Sequence, residues 1–274
     1  NFFTQEFRVQ STDDSAKLNW IVGAFYLKSN VTQRNRFWGE SLVLPTLSGE
    51  SHWTDGGHNE DYAVFAQLTY RLSDTLKLDG GVRYTHDSKT GNQQGFVVAT
   101  GDRYKPTDAA PLTPLTEAFK TPYGKSWDAF TPQATLTWTP NDDMMAYATI
   151  SRGFKGGGFQ NNASKAVAAN TAYEPENVTN YEVGYKAELF DRSIRWNSAL
   201  FMMEYKNLQV QQTLASCLCN VISNAASASI KGIESDLQFA PTPQLRAWLS
   251  GTYLDATYDS FTFAGVNNTG KELQ

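Results

Sequence analysis

A glycine-rich basic run, SRGFKGGGF at residues 151–159, closes one apolar segment of the chain. The chemistry such a run suggests is anion cradling, with backbone amides wrapped around phosphate and a lysine beside them. No Lys-Ser or Lys-Thr pair follows it and no helix opens after it, which sets the phosphate loop aside in favour of a rim loop that needs flexible backbone. Arg152 and Lys155 could attract an anionic ligand, against the plainer role of solvated basic residues at a strand end; with Phe159 and Gln160 they are the candidate ligand contacts. His52, Asp55, His58 and Glu60 put ligand-type side chains in one polar stretch, but their spacing fits no recognised metal site, and a solvated loop is expected instead. Cys217 and Cys219 lie too close together to staple distant segments, so two free thiols and a small loop disulfide both fit. No Ser/His/Asp set, paired-acid motif or cofactor loop stands in a context that supports catalysis, so no enzyme, no cofactor and no metal centre are expected.

The segments that would position these residues alternate apolar and polar side chains. In NYEVGYKAEL, Tyr181, Val183, Tyr185, Ala187 and Leu189 fall on one face, with Asn180, Glu182, Gly184, Lys186 and Glu188 on the other. The same period of two recurs along the chain. Leu76, Leu78, Gly80, Val82 and Tyr84 oppose Lys77, Asp79, Gly81, Arg83 and Thr85; Phe130, Pro132, Ala134, Leu136 and Trp138 oppose Thr131, Gln133, Thr135 and Thr137. One face suits hydrocarbon and the other suits water. The polar set Lys77, Asp79, Arg83, Glu182, Lys186, Glu188, Glu234 and Asp236 is expected to face a hydrated lumen, mostly as generic lumen polarity.

Composition agrees. Of 274 residues, 13 % are aromatic and only 19 % charged, which suits many half-exposed strands. No stretch approaches about eighteen consecutive apolar residues, so no transmembrane helix is expected, although alternating strands escape such averaging. A formal net charge of −5 and the lack of Cys/His finger spacing exclude a nucleic-acid partner. The chain starts at Asn1 inside a strand-like run, without signal segment, and reads as an internal piece of a longer protein.

The joints between strands carry the architecture. Tight turns are expected at residues 11–14, 73–74, 139–142, 190–193 and 240–243, and long polar loops at 29–60, 89–125, 153–176 and 208–226. Turn and loop alternate through about ten strands of about ten to fourteen residues, long enough to cross a bilayer at a tilt of about 45°. An up-and-down antiparallel transmembrane barrel, with long loops on one rim and tight turns on the other, produces that alternation; a Greek-key sandwich does not. Tyr70, Trp138, Phe190, Trp196, Phe239 and Trp248 gather near the tight turns as an interfacial girdle. Lipid does not tolerate bare sheet edges, so these strands are expected to be part of a larger ring.

Four stretches resemble the TonB-dependent receptors of the Gram-negative outer membrane: TQEFRVQS at 4–11, YATISRGFKGGGF at 147–159, YEPENVTNYEVGYKAELFD at 173–191 and IKGIESDL at 230–237. Together they span nearly the whole chain, and the third is the most specific. The resemblance implies a monomeric barrel of about 22 strands, plugged by a separate N-terminal domain. It implies import of a scarce large nutrient, an iron chelate such as a ferric siderophore before haem, cobalamin or oligosaccharide, driven through the TonB complex. Residues 1–274 would form part of that barrel, with the plug domain and the C-terminal strands outside this chain. The competing readings are a passive porin-like channel, which needs no plug, and a carbohydrate-binding β protein soluble without detergent.

Overall fold

Alternating side chains and short polar turns dictate hairpins, and a computed structural model shows hairpins from end to end. The structure describes residues 1–13, 15–37, 51–97, 116–160, 170–214, 219–263 and 265–273. Its strands are β1 (Phe2–Gln10), β2 (Leu18–Phe37), β3 (Ser51–Arg71), β4 (Leu76–Val97), β5 (Thr116–Asn141), β6 (Met144–Lys155), β7 (Gly158–Phe159), β8 (Ala172–Tyr173), β9 (Glu176–Leu189), β10 (Ile194–Leu214), β11 (Cys219–Thr242), β12 (Leu245–Phe263) and β13 (Val266–Asn267). Eleven of them form one antiparallel sheet in the order β1-β2-β3-β4-β5-β6-β9-β10-β11-β12-β13; β7 and β8 form a separate ribbon. Each strand of the sheet lies beside the next strand in the chain, the up-and-down order.

Register keeps the two faces apart. Leu18 pairs with Tyr70, Tyr70 with Leu78 and Leu78 with Leu136, so one apolar row continues across four strands. Further along, Ala148 pairs with Val183, Val183 with Leu200 and Leu200 with Ile233. This face is bare: Val64 is 58 % exposed and Val183 52 %, while among the described residues no large side chain is fully buried. A sheet of this size without a core would not hold in water, because its apolar face must be covered by something, and here that is lipid.

On β3 the apolar row runs from Tyr62 to Tyr70, about 27 Å along the strand at about 3.4 Å per residue. A tilt of about 40° reduces that to roughly 21 Å, close to the ~25 Å apolar band of outer-membrane barrels. Aromatic residues stand at both limits. Tyr26 and Tyr62 stack at 5.1 Å and Tyr26 donates to Glu60 at 2.6 Å; at the turn side Tyr185 meets Trp196 edge-on at 5.6 Å. Trp248 departs from the expected girdle: it pairs with Gln238 while Phe239 pairs with Ala247, which puts Trp248 on the polar face.

The strands are longer than their alternation suggests. β2 has 20 residues and β5 has 26, because residues 29–37, 51–60, 89–97 and 116–125 continue the ladders instead of forming loops. In the loop expected at 208–226, residues 208–214 and 219–226 likewise belong to β10 and β11. Beyond the bilayer both faces of a hairpin meet water, so selection for alternating side chains ends there while backbone pairing does not. Tight turns stand as expected at 73–74 and 190–193, while β5 and β11 run on to Asn141 and Thr242, so their turns fall at 142–143 and 243–244; of the turn expected at 11–14, Asp14 lies outside the described residues. At the β9–β10 turn, Ser193 N–H donates to Phe190 O at 3.0 Å across Asp191 and Arg192, with φ of 54° and 66°, the twist that suits a two-residue hairpin.

Val183→Arg, at mid-height on the apolar face, is expected to destabilise the vesicle-inserted protein by about 2–4 kcal/mol. Asn197→Arg, on the opposite face, is expected to leave it within about 0.5 kcal/mol. Denaturant unfolding from lipid vesicles measures both.

Candidate functional site

The face opposite the lipid carries the polar set, and register puts all eight of its members there. Lys77 and Asp79 form an ion pair at 3.2 Å, and Thr69 donates to Asp79 at 2.6 Å. Arg83 lies over the rings of Phe25 and Phe65 at 5.3 and 5.7 Å. Tyr147 donates to Glu182 at 2.6 Å, while Glu188 takes Arg192 at 3.0 Å and Arg195 at 2.5 Å beside the tight turn. Glu182 faces Phe201, Lys186 faces Asn197, and Asn197 faces Asp236; Glu234 lies two residues up β11 from Asp236. These groups line a wall in separate local pairs. They do not converge on one point.

The four rim residues separate too. Arg152 shares the face of Ile150, toward the lipid side, where it is exposed and donates to Asn177 Oδ1 at 3.2 Å. Lys155 is exposed at the end of β6, opposite Glu176. Phe159 and Gln160 are 7 % and 8 % exposed, so neither presents its side chain as a rim contact. The chain after Lys155 folds onto the polar face instead of standing up from the rim. Of the other metal-type residues, His58 Nδ1 contacts Asn30 Oδ1 at 2.6 Å and Glu60 accepts from Tyr26, while the side chains of His52 and Asp55 and the residue Cys217 lie outside the described residues.

The β5–β6 ladder stops at Gln133 and Ser151, next to Pro132, which has no N–H to continue a ladder, while β6 stays paired with β9 as far as Lys155 and the inward turn follows. The strap made by Gly156–Gln160 and β8 then crosses the wall. Tyr123, Trp127 and Phe159 form the buried aromatic cluster, with Ala172 packed against it and the Tyr123 and Phe159 rings 4.5 Å apart. Gly157 has to be glycine: a Cβ there would stand 2.6 Å from the Tyr173 carbonyl oxygen and 2.5 Å from the Trp127 ring.

Hydrogen bonds tie the strap to strands on both sides. Gln93 of β4 donates to Gln160 O at 2.5 Å. The Gln160 side chain pairs with the Ile222 backbone of β11 as a strand would, donating to its carbonyl at 2.6 Å and accepting from its N–H at 2.8 Å. Gln209 of β10 donates to Gly156 O at 2.9 Å and to Glu174 O at 3.0 Å. Asn224 accepts from Glu174 N–H at 2.6 Å and donates to its carbonyl at 2.7 Å. The Glu174 carboxylate takes Trp127 Nε1 at 3.0 Å and an ion pair from Lys125. Lys125 and Lys89 each stand 5.6 Å from the Trp127 ring.

The strap therefore joins β4 and β5 to β10 and β11, which β6 and β9 separate in the sheet. At that crossing Lys89 of β4 and Lys125 of β5 stand beside the buried Trp127 ring, each already paired with a carboxylate, Asp87 and Glu174. Sequence reasoning missed Trp127, Lys125, Glu174, Gln209 and Asn224, all assigned to loops or unremarked. The one available signal was three consecutive glycines beside an aromatic residue, which permits close backbone approach as readily as flexibility.

A family model described as TonB dependent receptor-like, beta-barrel matches residues 1–274. The pesticin receptor of Yersinia pestis is 24% identical over 241 residues, covering 86% of this chain and 31% of the receptor, so the chain spans about a third of that relative's length. The crystal structure of the ferric yersiniabactin uptake receptor FyuA from Yersinia pestis aligns with a TM-score of 0.73 at 20% identity, over 97% of this chain and 37% of that one. The siderophore receptor PiuA from Acinetobacter baumannii aligns at 0.64 and 16% identity, over 99% and 41%.

Lys125, then Trp127, hold the Glu174 carboxyl below the usual carboxylate range. A lowered pKa stabilises the strap at neutral pH, and that contribution is lost as pH falls through the folded value. Hydrogen exchange of strap amides, corrected for intrinsic rates, is expected to rise below about pH 4.5 and to lose that rise in Glu174→Gln. Gln160→Ala leaves the Ile222 N–H and C=O unpaired, at a cost of about 2 kcal/mol. Exchange at the Ile222 amide should accelerate while that at mid-barrel amides such as Val183 stays unchanged.

Proposed function

The chain belongs to the TonB-dependent receptor β-barrel family, and from that membership we propose that it forms part of the wall of an active importer of a scarce, large nutrient. Its place is the Gram-negative outer membrane, and its family is one of transporters, not enzymes. The cargo we propose is a ferric siderophore or a similar iron complex. A plug domain elsewhere in the parent protein gates the barrel and couples it to the TonB complex, and the parent works as a monomer.

The match of the family model to residues 1–274 carries this reading. The named cargo of the ferric yersiniabactin receptor and the description of PiuA as a siderophore receptor support the choice of an iron chelate. Lys77, Asp79, Glu182 and the other polar residues then line the lumen and keep it hydrated.

Uptake of radiolabelled iron, presented as ferric siderophores to cells with and without the parent gene, tests the proposal. The expected result is gene-dependent uptake that stops when the proton-motive force is collapsed. Uptake that persists without the proton-motive force would assign a passive channel instead. Expression indifferent to iron but responsive to cobalamin or a sugar would overturn the choice of cargo and leave the family intact.

A further inference from the structure

Beneath the strap lies an acidic contact that the import reading does not use. Asp61 of β3 and Asp87 of β4 stand directly opposite in register, on the strap's side of the sheet. Register sets the two carboxyls side by side, and Oδ1 of each is buried with no hydrogen-bond partner. Asp87 is only 6 % exposed. Two bare carboxylates would leave those oxygens unpaired, since neither has a hydrogen to donate and like charges directly across a ladder repel. One proton between them satisfies both.

The same pair touches the strap. Lys89 Nζ stands 3.1 Å from Asp87 Oδ2 and donates to the Gly157 carbonyl at 2.5 Å. Gly156 passes so close to Asp87 Oδ2 that any Cβ there would overlap it. The charged groups around the pair are few. β4 brings Arg83 and Lys89, β5 brings Lys125, and the strap brings Lys155 at its foot and Glu174; β2 sets uncharged Leu27 opposite Asp61. Arg83 is engaged with Phe25 and Phe65, and Lys125 with Glu174, which among the described residues leaves Lys89 as the cation in contact with the pair.

We propose that Asp61 and Asp87 hold one proton between them and that this proton latches the glycine strap to the barrel wall. With it, the pair carries a single negative charge, which Lys89 balances while holding Gly157. When the proton leaves Asp61 for water, the pair carries two charges against one ammonium. The carboxylates separate, water enters under Gly156, and Lys89 is drawn from the strap toward the acids. The strap loosens as pH rises, the opposite sign from the Glu174 contact.

The test uses the full-length protein in detergent micelles with fluorotryptophan incorporated. The Trp127 resonance is assigned by its loss in Trp127→Phe and followed by fluorine NMR from mildly acidic to mildly alkaline buffer. The expected result is a shift of that resonance on alkalinisation, abolished in Asp61→Asn, whose amide donates to Asp87 at any pH. An unmodified protein with no shift, or an equal shift in Asp61→Asn, overturns the proposal. Should Asp61→Asn fail to assemble, infrared difference spectra of the unmodified protein decide. Loss of a protonated-carboxyl stretch over the same range supports the latch, and no such loss overturns it. Neither readout depends on which cargo is carried.

Discussion

Everything in this molecule depends on one constraint: a backbone N–H or C=O facing hydrocarbon has no water to bond, so it must be bonded within the sheet. Continuous antiparallel ladders from β1 to β12 meet that requirement. Once the ladders are set, the pleat sends successive side chains to opposite faces, and those faces meet different solvents. Hence the described residues form no conventional core beyond the small aromatic cluster under the strap. The apolar residues that a soluble protein would bury, such as Val64 and Val183, stand bare on the lipid side, and the ion pairs stand on the other. Stability in such a sheet comes from ladder bonds and from match to the bilayer, with the tyrosine and tryptophan belts marking its two surfaces.

The strap answers a different need. Above the bilayer the hairpins rise into water, where nothing forces their inner faces apart or together. A segment that folds inward there must carry its own bonding, and Gly156–Gln160 does so with Gln93, Gln209 and Ile222 as partners, while Glu174 bonds Asn224. Its small aromatic cluster holds the large side chains Tyr123, Trp127 and Phe159, buried where most of the wall leaves its residues open. Because its bonds reach from β4 to β11, it acts as a chord across the curve of the sheet, setting how far those strands stand apart. Glycines make the chord possible: at Gly157 the backbone lies where a side chain would collide with Trp127.

Much of the lipid-facing half was legible in the residues. Tyr181, Val183 and Tyr185 announce their face by spacing alone, and the turn at 190–193 is marked by its polar residues. Less was legible beyond the membrane. β2 and β3 pair as far as Phe37 and Ser51, yet their polar ends read as loop because no hydrocarbon imposes alternation there. Trp248 was placed in the girdle by its nearness to a turn, although a one-residue difference in register decides its face. Arg152, Lys155, Phe159 and Gln160 are set apart for a similar reason. Neighbours in sequence point to opposite faces along β6, and the chain then turns inward.

The amino-acid sequence by itself determined the strands, their two faces, the tight turns and the family, because a period of two and a polar turn are local properties that need no distant partner. Only the tertiary structure decided which residues meet over the polar wall. Asp61 meets Asp87 through the register of one hairpin, while Lys89 with Gly157, and Gln160 with Ile222, are brought together across strands that the chain visits far apart. No spacing rule along one strand records a contact made across six.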